Sequence, residues 1–360
     1  MIKKFDRYIF SRMLVITGFV TGLLIFIFII IDFSENSGEF TDRGASLSEI
    51  WYDYYLNYIP EMIRLISPVA VFAACLWVTS QMASRLEIVA LRAAGISLYR
   101  LLVPYLVFAV LVAGFISYLD GYVVPPSNAV RADFEERYIM NRSERLDRNR
   151  IFRQESPDRL VQINYYDIRE QTGYRVSFYS FSENKLVETL EAGRMSWKED
   201  EEIWELVNGT IKRFNEQGYQ ETTFDRRDTT LNLYPRDFGR TSSDVYQLTY
   251  PEIRSYLASI ERSGAGGIAM PRVQFYGKLS YPFSIIIVTI IGVSIASVRR
   301  SGGRGMSMAA GLIISFFYLA MMKLAEPFGY TGAIDPLYAA FFPHAFFMVT
   351  SIILLLFTRK

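Results

Sequence analysis

The side chains that usually carry enzyme chemistry are scarce in this chain. It has one histidine, His344, and one cysteine, Cys75, and both lie within apolar runs. Zinc and haem centres draw on several such ligands, so neither kind of enzyme is expected. Serines are plentiful, but no histidine stands close to them in sequence as the base of a nucleophilic triad. We interpret His344 as a packed or hydrogen-bonded residue between membrane helices, in preference to a proton relay.

A nucleotide-binding site is not predicted either. The chain lacks the GxxxxGK[ST] pattern whose backbone N–H groups cradle phosphates. The glycine-rich Ser301–Gly305 precedes an apolar run, so we interpret it as a flexible turn. The formal net charge of +1 gives no bulk attraction to nucleic acid. These residues indicate a carrier or a scaffold that binds no cofactor of its own.

Two basic side chains inside apolar runs could bind an anion. Arg64 and Lys323 each have a carboxylate three residues away, at Glu61 and Glu326. One interpretation is a local ion pair, or a side chain that reaches the membrane interface. The other is that Arg64 and Lys323 donate charge-assisted hydrogen bonds to a phosphorylated headgroup. Both interpretations stay open at this point.

The elements that must position these residues are membrane helices. Just over half of the chain is apolar, and several runs reach the length of about 20 residues that spans a bilayer. The predicted spans are Met13–Ile31, Ile59–Ala83, Leu98–Leu119, Val273–Ser297, Met306–Ala325 and Leu337–Phe357. Lys and Arg are concentrated at both chain ends, in Ser84–Ser97 and in Val298–Gly305. The positive-inside rule therefore predicts that both termini are cytoplasmic.

The segments between the spans carry their own predictions. Asp32–Tyr58 is acidic and aromatic, and we expect it to be an outward loop that leads to Pro60 in the first turn of span two. Asp120–Gly121 and the prolines at 125 and 126 should end span three. Pro327–Gly329 should turn the chain between spans five and six.

A β domain is predicted between spans three and four. Arg159–Tyr165 and Arg175–Phe181 alternate between polar and apolar residues, and Lys185–Glu191 and Tyr219–Leu233 are further strand candidates. Trp204–Phe214 is interpreted as two strands around an Asn-Gly turn. Short strands at this spacing suggest a sandwich or a jelly roll. Four side chains should point inward from these strands: Val161, Ile163, Val176 and Phe178.

The sequence thus predicts a polytopic α-helical membrane protein with six transmembrane helices and an outward-facing β-jellyroll domain inserted between helices 3 and 4. Residues 1–125 hold helices 1–3, including a cytoplasmic helix at 84–97. The β domain covers 126–250, a connecting helix and joint cover 251–267, and 268–360 hold helices 4–6.

The charged stretch Ser84–Ser97 separates two apolar runs and should form a helix that Gly95 ends. Glu87, Ala90, Leu91 and Ala94 fall on one face at helical spacing. The stretch is either a tight turn that keeps its charges in water or a handle for a soluble partner.

The order of parts resembles the permease family of bacterial lipopolysaccharide export, whose two related members are LptF and LptG. The most telling match is Glu87–Ser97, which is similar to the family's cytoplasmic coupling helix, and Phe5–Ile9 and Glu252–Glu261 are also similar. The Arg-Ala-Ala-Gly form at 92–95 is closer to LptG.

This resemblance implies a role and partners. Such permeases pair with a sister subunit, or with a second copy, and with two copies of an LptB-like ATPase that uses ATP and Mg. They extract lipopolysaccharide from the inner membrane and pass it to an LptC/LptA-like periplasmic bridge, so the resemblance implies a periplasmic β-jellyroll domain. The inward side chains of this domain would then form either a path for acyl chains or an ordinary dry core. The resemblance places the ATPase contact on the following residues: Arg85, Leu86, Glu87, Ala90, Leu91, Arg92, Ala94 and Gly95.

One departure keeps other functions open. The family is expected to have basic residues after span one, whereas Asp32–Asn36 is acidic here. The phosphate contact would then lie elsewhere or on the partner subunit. The alternatives are a permease of the same build for another envelope glycolipid, or a membrane scaffold or sensor that transports nothing.

Overall fold

The structure, a computed structural model, describes residues 4–139, 151–156, 158–167, 170–183, 185–199, 201–215, 218–238, 242–263, 268–297 and 303–358. The chain forms two compact units. One holds the residues up to Tyr138, Tyr246–Thr249 and the residues from Arg272 onward. The other holds Ile139–Val245 and Tyr250–Pro271.

The α-helices follow in chain order: α1 Lys4–Asp42, α2 Leu47–Glu49, α3 Leu56–Ser84, α4 Glu87–Ala93, α5 Leu98–Tyr118, α6 Val124–Tyr138, α7 Pro235–Phe238, α8 Tyr250–Ser263, α9 Ala269–Ser280, α10 Phe283–Ala296, α11 Gly303–Tyr330 and α12 Pro336–Phe357. Two π-helical turns, Ile50–Tyr55 and Leu119–Val123, lie before α3 and α6, and a 3-10 turn covers Ser242–Gln247. The strands are β1 Ile151–Ser156, β2 Arg159–Asp167, β3 Thr172–Ser182, β4 Lys185–Lys198, β5 Ile203–Asn215 and β6 Gly218–Thr229.

Six membrane crossings are available within the described residues. Five helical segments are long and apolar enough to span a bilayer, and α9 with α10 makes a sixth if this pair, bent by 46°, counts as one span. The bend falls at Tyr281–Pro282, where proline removes a helical hydrogen bond. This confirms the predicted polytopic helical protein.

The helix of span three does not end at Asp120–Gly121, as the sequence suggested. The chain stays helical from Leu98 to Tyr138, so the predicted domain boundary at 125 falls inside a helix. The Val124 N–H bonds the carbonyl of Leu119, five residues back, in a π-helical turn. The two prolines follow this π-helical turn directly, at the start of α6, where a missing N–H costs least.

The acidic segment after span one is also largely helical, which corrects the predicted loop. Helix α1 continues to Asp42, and a second helical run begins at Leu47 behind a capping box of Ser46 and Glu49. Pro60 therefore lies inside α3 and not in its first turn. Asp32 accepts hydrogen bonds from the hydroxyls of Tyr54 and Tyr55, at 3.2 and 3.0 Å. The carboxylate of this flank is thus bound within the helical unit.

The predicted turn at Pro327–Gly329 is wrong as well. Helix α11 runs through these residues to Tyr330, and the reversal comes at Gly332, whose φ is +75°. A side chain at Gly329 would lie 2.5 Å from Val273 and 2.7 Å from Ala339. Glycine at this position therefore lets α11 pack closely against α9 and α12.

The second unit contains one six-stranded antiparallel sheet whose strands lie in sequence order. The inserted β domain is confirmed, with a meander where the sequence suggested the strand order of a jelly roll. The core of the sheet includes Trp204, which is fully buried and whose indole N–H donates to the Leu233 carbonyl at 2.7 Å. The four predicted inward residues belong to the same core.

The predicted hairpin within Trp204–Phe214 is wrong, because these residues lie in the single strand β5. The register of β5 against β4 and β6 is the same on both sides of Asn208. Asn208 has a φ of +53°, which Asn tolerates, and the Phe224 ring of β6 lies over Gly209. The Asn-Gly pair thus provides a residue with positive φ and room for the Phe224 ring inside a strand, and does not form a turn.

Replacing Gly209 with valine should destabilise the β domain by roughly 1–3 kcal/mol, since new carbon atoms must displace a packed side chain. Even a Cβ atom at this position would lie 2.1 Å from the Phe224 ring. Thermal unfolding of the full chain, followed by tryptophan fluorescence, measures the loss. Gly193→Val is the matched control because its nearest neighbour would lie 3.6 Å away. Equal losses in both variants would contradict this account of Gly209.

Candidate functional site

The predicted cytoplasmic helix is present but shorter than the 84–97 stretch. Helix α4 covers Glu87–Ala93, since Ser84 still belongs to α3 and Ser97 caps the start of α5. Leu86 has a φ of +60° and Gly95 a φ of +79°, so a left-handed residue stands at each end. These two breaks fix a seven-residue helix between two membrane helices.

The exposed face of α4 differs in part from the predicted one. Ala90 and Ala94 are exposed, but Leu91 packs against the helical core, as does the buried Ile88. Leu86 and Val89 are 50% and 57% exposed. The face open to a partner is therefore the small and apolar set Leu86, Val89, Ala90 and Ala94. Val89 was missed because the helical spacing was counted from Glu87.

Glu87 lies at the wall of an open groove of about 590 Å³ beside α4. The groove is lined by Ala90 and Leu91 of α4, Lys4, Phe5 and Tyr8 of α1, and Met82 of α3. The start of α1 is held there by a bidentate ion pair, in which Arg100 of α5 donates to both carboxylate oxygens of Asp6 at 2.7 and 2.6 Å. Arg12 of α1 also bonds Gln81 of α3. The groove is thus built from three anchored helices.

A second feature of the helical unit is a cavity of about 340 Å³. Its polar lining includes Arg64, Lys323 and Glu326, together with Gln274, Lys278 and His344. The two basic residues singled out in the sequence therefore do line one site. His344 is buried, and its Nδ1 lies 2.6 Å from the Tyr318 hydroxyl, which is the interhelical bond that we expected.

Arg64 has more partners than the sequence indicated. It lies 3.6 Å from Glu61, the expected i,i+3 pair, and also 3.6 Å from Asp120. Its guanidinium stacks over the Tyr281 ring at 5.5 Å. Arg64 is 8% exposed, whereas the Lys323 side chain is 70% exposed and bonds Glu326 at 2.9 Å. The cavity thus has one buried and one accessible cation from the predicted pair.

A third cation, Lys278, was missed. It is 3% exposed, lies 3.9 Å from the Asp120 carboxylate, and donates to the carbonyls of Asp120 and Leu248 at 3.5 and 3.3 Å. The signal in the sequence was a lone lysine inside the fourth apolar run, which is costly in a membrane and marks a functional position. Asp120 was missed because it was interpreted as the end of a helix.

Nearly the whole chain matches a known protein family. The model of the family described as "Lipopolysaccharide export system permease LptF/LptG" matches residues 7–356. The chain belongs to this family.

Individual relatives agree with this assignment and favour the LptG member. The chain is 21% identical to the lipopolysaccharide export system permease protein LptG of Haemophilus influenzae over 353 residues, which cover 97% of each chain. It is 20% identical to the protein of the same name from Escherichia coli K12 over 360 residues, covering 98% of this chain and 97% of that relative. The chain is thus an LptG-like permease subunit of the lipopolysaccharide export system, and a multi-pass protein of the inner membrane.

The flank after the first span is acidic, whereas basic residues were expected there from the family resemblance. Asp32 of this permease accepts two tyrosine hydroxyls from the helical run after α2, so this flank presents a bound carboxylate where a basic residue was expected. Three cations of the helical unit line the cavity instead: Arg64, Lys278 and Lys323.

The predicted lipid-path residues of the β domain lie in a packed core. Val161 and Ile163 are fully buried, and Val176 and Phe178 are 1% exposed. Their inward orientation is as predicted from the alternation of β2 and β3. In this conformation they have the burial of an ordinary core, and their contact with acyl chains stays a prediction.

Proposed function

We propose that this permease couples ATP hydrolysis by a cytoplasmic LptB-like ATPase dimer to lipopolysaccharide extraction, together with an LptF-like sister subunit. Helix α4 is the contact to the ATPase: its exposed face is small and apolar, and Glu87 stands beside it at the groove. An apolar anchor face beside one charged group is a usual form of protein docking site. Both chain ends are then cytoplasmic and the β domain is periplasmic, where it passes lipid to an LptC/LptA-like bridge.

The cavity holds the phosphorylated headgroup in this proposal. Three cations line it, and anionic groups of a ligand would gain charge-assisted hydrogen bonds there. Lys323 is exposed enough to make the first contact, and Arg64 and Lys278 lie deeper. The single observation that carries this assignment is the convergence of three basic residues from α3, α9 and α11 on one cavity inside a membrane unit.

Affinity purification of the full chain from its native membrane tests this function. We expect an ATPase, a second permease chain and lipopolysaccharide to accompany it, with the lipid identified by mass. A different glycolipid with the same protein partners would favour the alternative permease for another envelope lipid. Loss of both ATPase and lipid, with the chain intact, would favour the scaffold or sensor instead.

A photo-crosslinking amino acid at position 178 tests whether the β domain carries acyl chains. Phe178 lies at the centre of the buried core, between β2 and β4. If acyl chains pass through this interior, the probe should capture lipopolysaccharide only during ATP turnover. The control is the same probe at Glu188 of β4. This side chain lies outside the buried core and pairs with Arg213 at the surface. Silence at Phe178 and at Val161, Ile163 and Val176 would favour the dry core.

A further inference from the structure

The cavity of the helical unit is backed by a carboxylate that has no hydrogen-bond donor of its own. Asp120 is 1% exposed and is not part of the cavity lining, whereas Arg64 and Lys278 are. The two cations therefore lie between the Asp120 carboxylate and the space that a ligand would fill. Within the part of the chain that the structure describes, neither carboxylate oxygen of Asp120 accepts a hydrogen bond.

The hold of Asp120 on these cations is electrostatic and loose. The nearest N–O separations are 3.6 Å to Arg64 and 3.9 Å to Lys278, both longer than a hydrogen bond. Buried ion pairs are strong when hydrogen bonds accompany the charge contact, and here those bonds are missing. The charges of Arg64 and Lys278 are thus balanced by Asp120, but this carboxylate accepts no hydrogen bond from either side chain.

The unused polar atoms of the cavity residues include a donor and an acceptor. Among the described residues, Arg64 Nε and Gln274 Oε1 are both buried without a hydrogen-bond partner. Lys278 uses two of its three N–H donors on backbone carbonyls. Arg64 Nε is also the atom that lies 3.6 Å from the Asp120 carboxylate, so it can reach a ligand only when the guanidinium moves away from Asp120. A ligand with anionic oxygens for the two cations and a hydroxyl donor for Gln274, such as a phosphorylated sugar, matches this set.

We propose that Asp120 is a resident counter-ion that holds Arg64 and Lys278 in the unliganded permease and gives them up to a phosphate group on the lipid. This inference rests on the proposed placement of the headgroup in the cavity. Asp120 and the phosphate compete for the same two cations, so the carboxylate sets how tightly the site binds lipid. An empty site stays neutral in the membrane, and a bound lipid can still be released.

Removal of the carboxylate should cost less than breaking a tight buried pair, since neither Asp120 oxygen accepts a hydrogen bond among the described residues. In Asp120→Asn, Lys278 keeps its bonds to the carbonyls of residues 120 and 248, and Arg64 keeps Glu61. Glu61 in turn accepts from Arg131 at 2.7 Å, and Arg131 pairs with Glu135. The remaining network therefore still contains alternating charges.

The test measures lipopolysaccharide bound per purified permease complex in nanodiscs, at several lipid concentrations, for wild type, Asp120→Asn, Lys278→Gln and the double variant. Asp120→Asn should bind roughly five- to tenfold more tightly, which is the size of a typical coupling between competing ligands. Lys278→Gln should bind more weakly. The double variant should again bind more tightly than Lys278→Gln, because Arg64 is freed from its competitor. Gel filtration and thermal unfolding check the fold of each variant.

The outcomes separate the inference from the function on which it rests. If Lys278→Gln weakens binding but Asp120→Asn does not strengthen it in either background, Asp120 is a structural anchor and the inference is overturned. If no variant changes binding, the headgroup lies elsewhere and the proposed site itself fails. The double variant supplies the comparison even if Asp120→Asn alone does not fold. Competition by inorganic phosphate distinguishes a general phosphate site, where it displaces lipid, from one that needs the attached sugar and acyl chains.

Discussion

Replacing Glu87 with lysine is expected to abolish transport-coupled ATP hydrolysis while the chain still inserts into the membrane. Glu87 lies at the groove beside Lys4, next to the exposed apolar face of α4. We expect Glu87 to pair with a basic residue of the ATPase. A lysine at position 87 would put a second ammonium group in the groove and repel that residue. Opposing like charges at an interface costs several kcal/mol, so coupled hydrolysis should fall roughly a hundredfold.

Two variants make this result specific. Glu87→Gln removes the charge without reversing it and should lose less activity. Asp133→Lys reverses a charge on α6, where the Asp133 side chain is 67% exposed and pairs with Arg137, one turn further along the same helix. It should hydrolyse ATP like the wild type. Normal hydrolysis by Glu87→Lys in a complex that retains its ATPase would reject the coupling role of α4.

Neutralising Arg64 and Lys323 together should weaken lipid capture about a hundredfold or more, since each charged hydrogen bond contributes about 1.5–3 kcal/mol and two are lost. The readout is lipid bound per purified complex in Arg64→Gln/Lys323→Gln. The structure shows that the two positions are unequal. Lys323 is exposed, so Lys323→Gln alone should fold normally and lose part of the binding. Arg64 is buried between two carboxylates, and its removal leaves them without that cation.

This inequality determines the controls. Breaking a buried ion pair from one side costs roughly 3–5 kcal/mol, so a loss of lipid in Arg64→Gln has to be separated from a loss of fold. Arg64→Lys keeps the charge and should keep most of the binding. Lys198→Gln removes an exposed lysine of the β domain, where it pairs with Glu205 and Asp228, and should have no effect on lipid. Wild-type occupancy in a folded double variant would rule out the headgroup role of both residues.

The sequence predicted the elements better than their ends. The apolar runs located the spans and period-two alternation located the strands, because both patterns report which side chains avoid water. Proline misled at 125 and at 327. A proline forbids an ordinary helical hydrogen bond, but the chain takes a π-helical turn at Leu119–Val123 before Pro125 and stays helical past Pro327, where Gly329 packs closely against α9 and α12. These compensations depend on neighbours that a local pattern does not contain.

The candidate site was predicted in the same partial way. Arg64 and Lys323 were found because each is a charge in an apolar run, and the structure places both at one cavity. Asp120 was not connected to them, since its role depends on a partner that is 158 residues away in sequence at Lys278. At α4, helical spacing suggested one face, but Leu91 turns inward because α4 packs on the core. Pairings across long separations are set by tertiary packing, which spacing does not report.

The long separation between Asp120 and Lys278 has a consequence for biogenesis. A ribosome adds about 5–20 residues per second, so the 158 residues between them take roughly 8 to 30 s to synthesise. During that interval the first three membrane helices are complete, and the whole β domain is still being made. Arg64, which is already present, is then the cation of this trio that can shield Asp120 in the nascent chain. Arg64 would thereby compensate the Asp120 charge during synthesis, until α9 with Lys278 has been inserted.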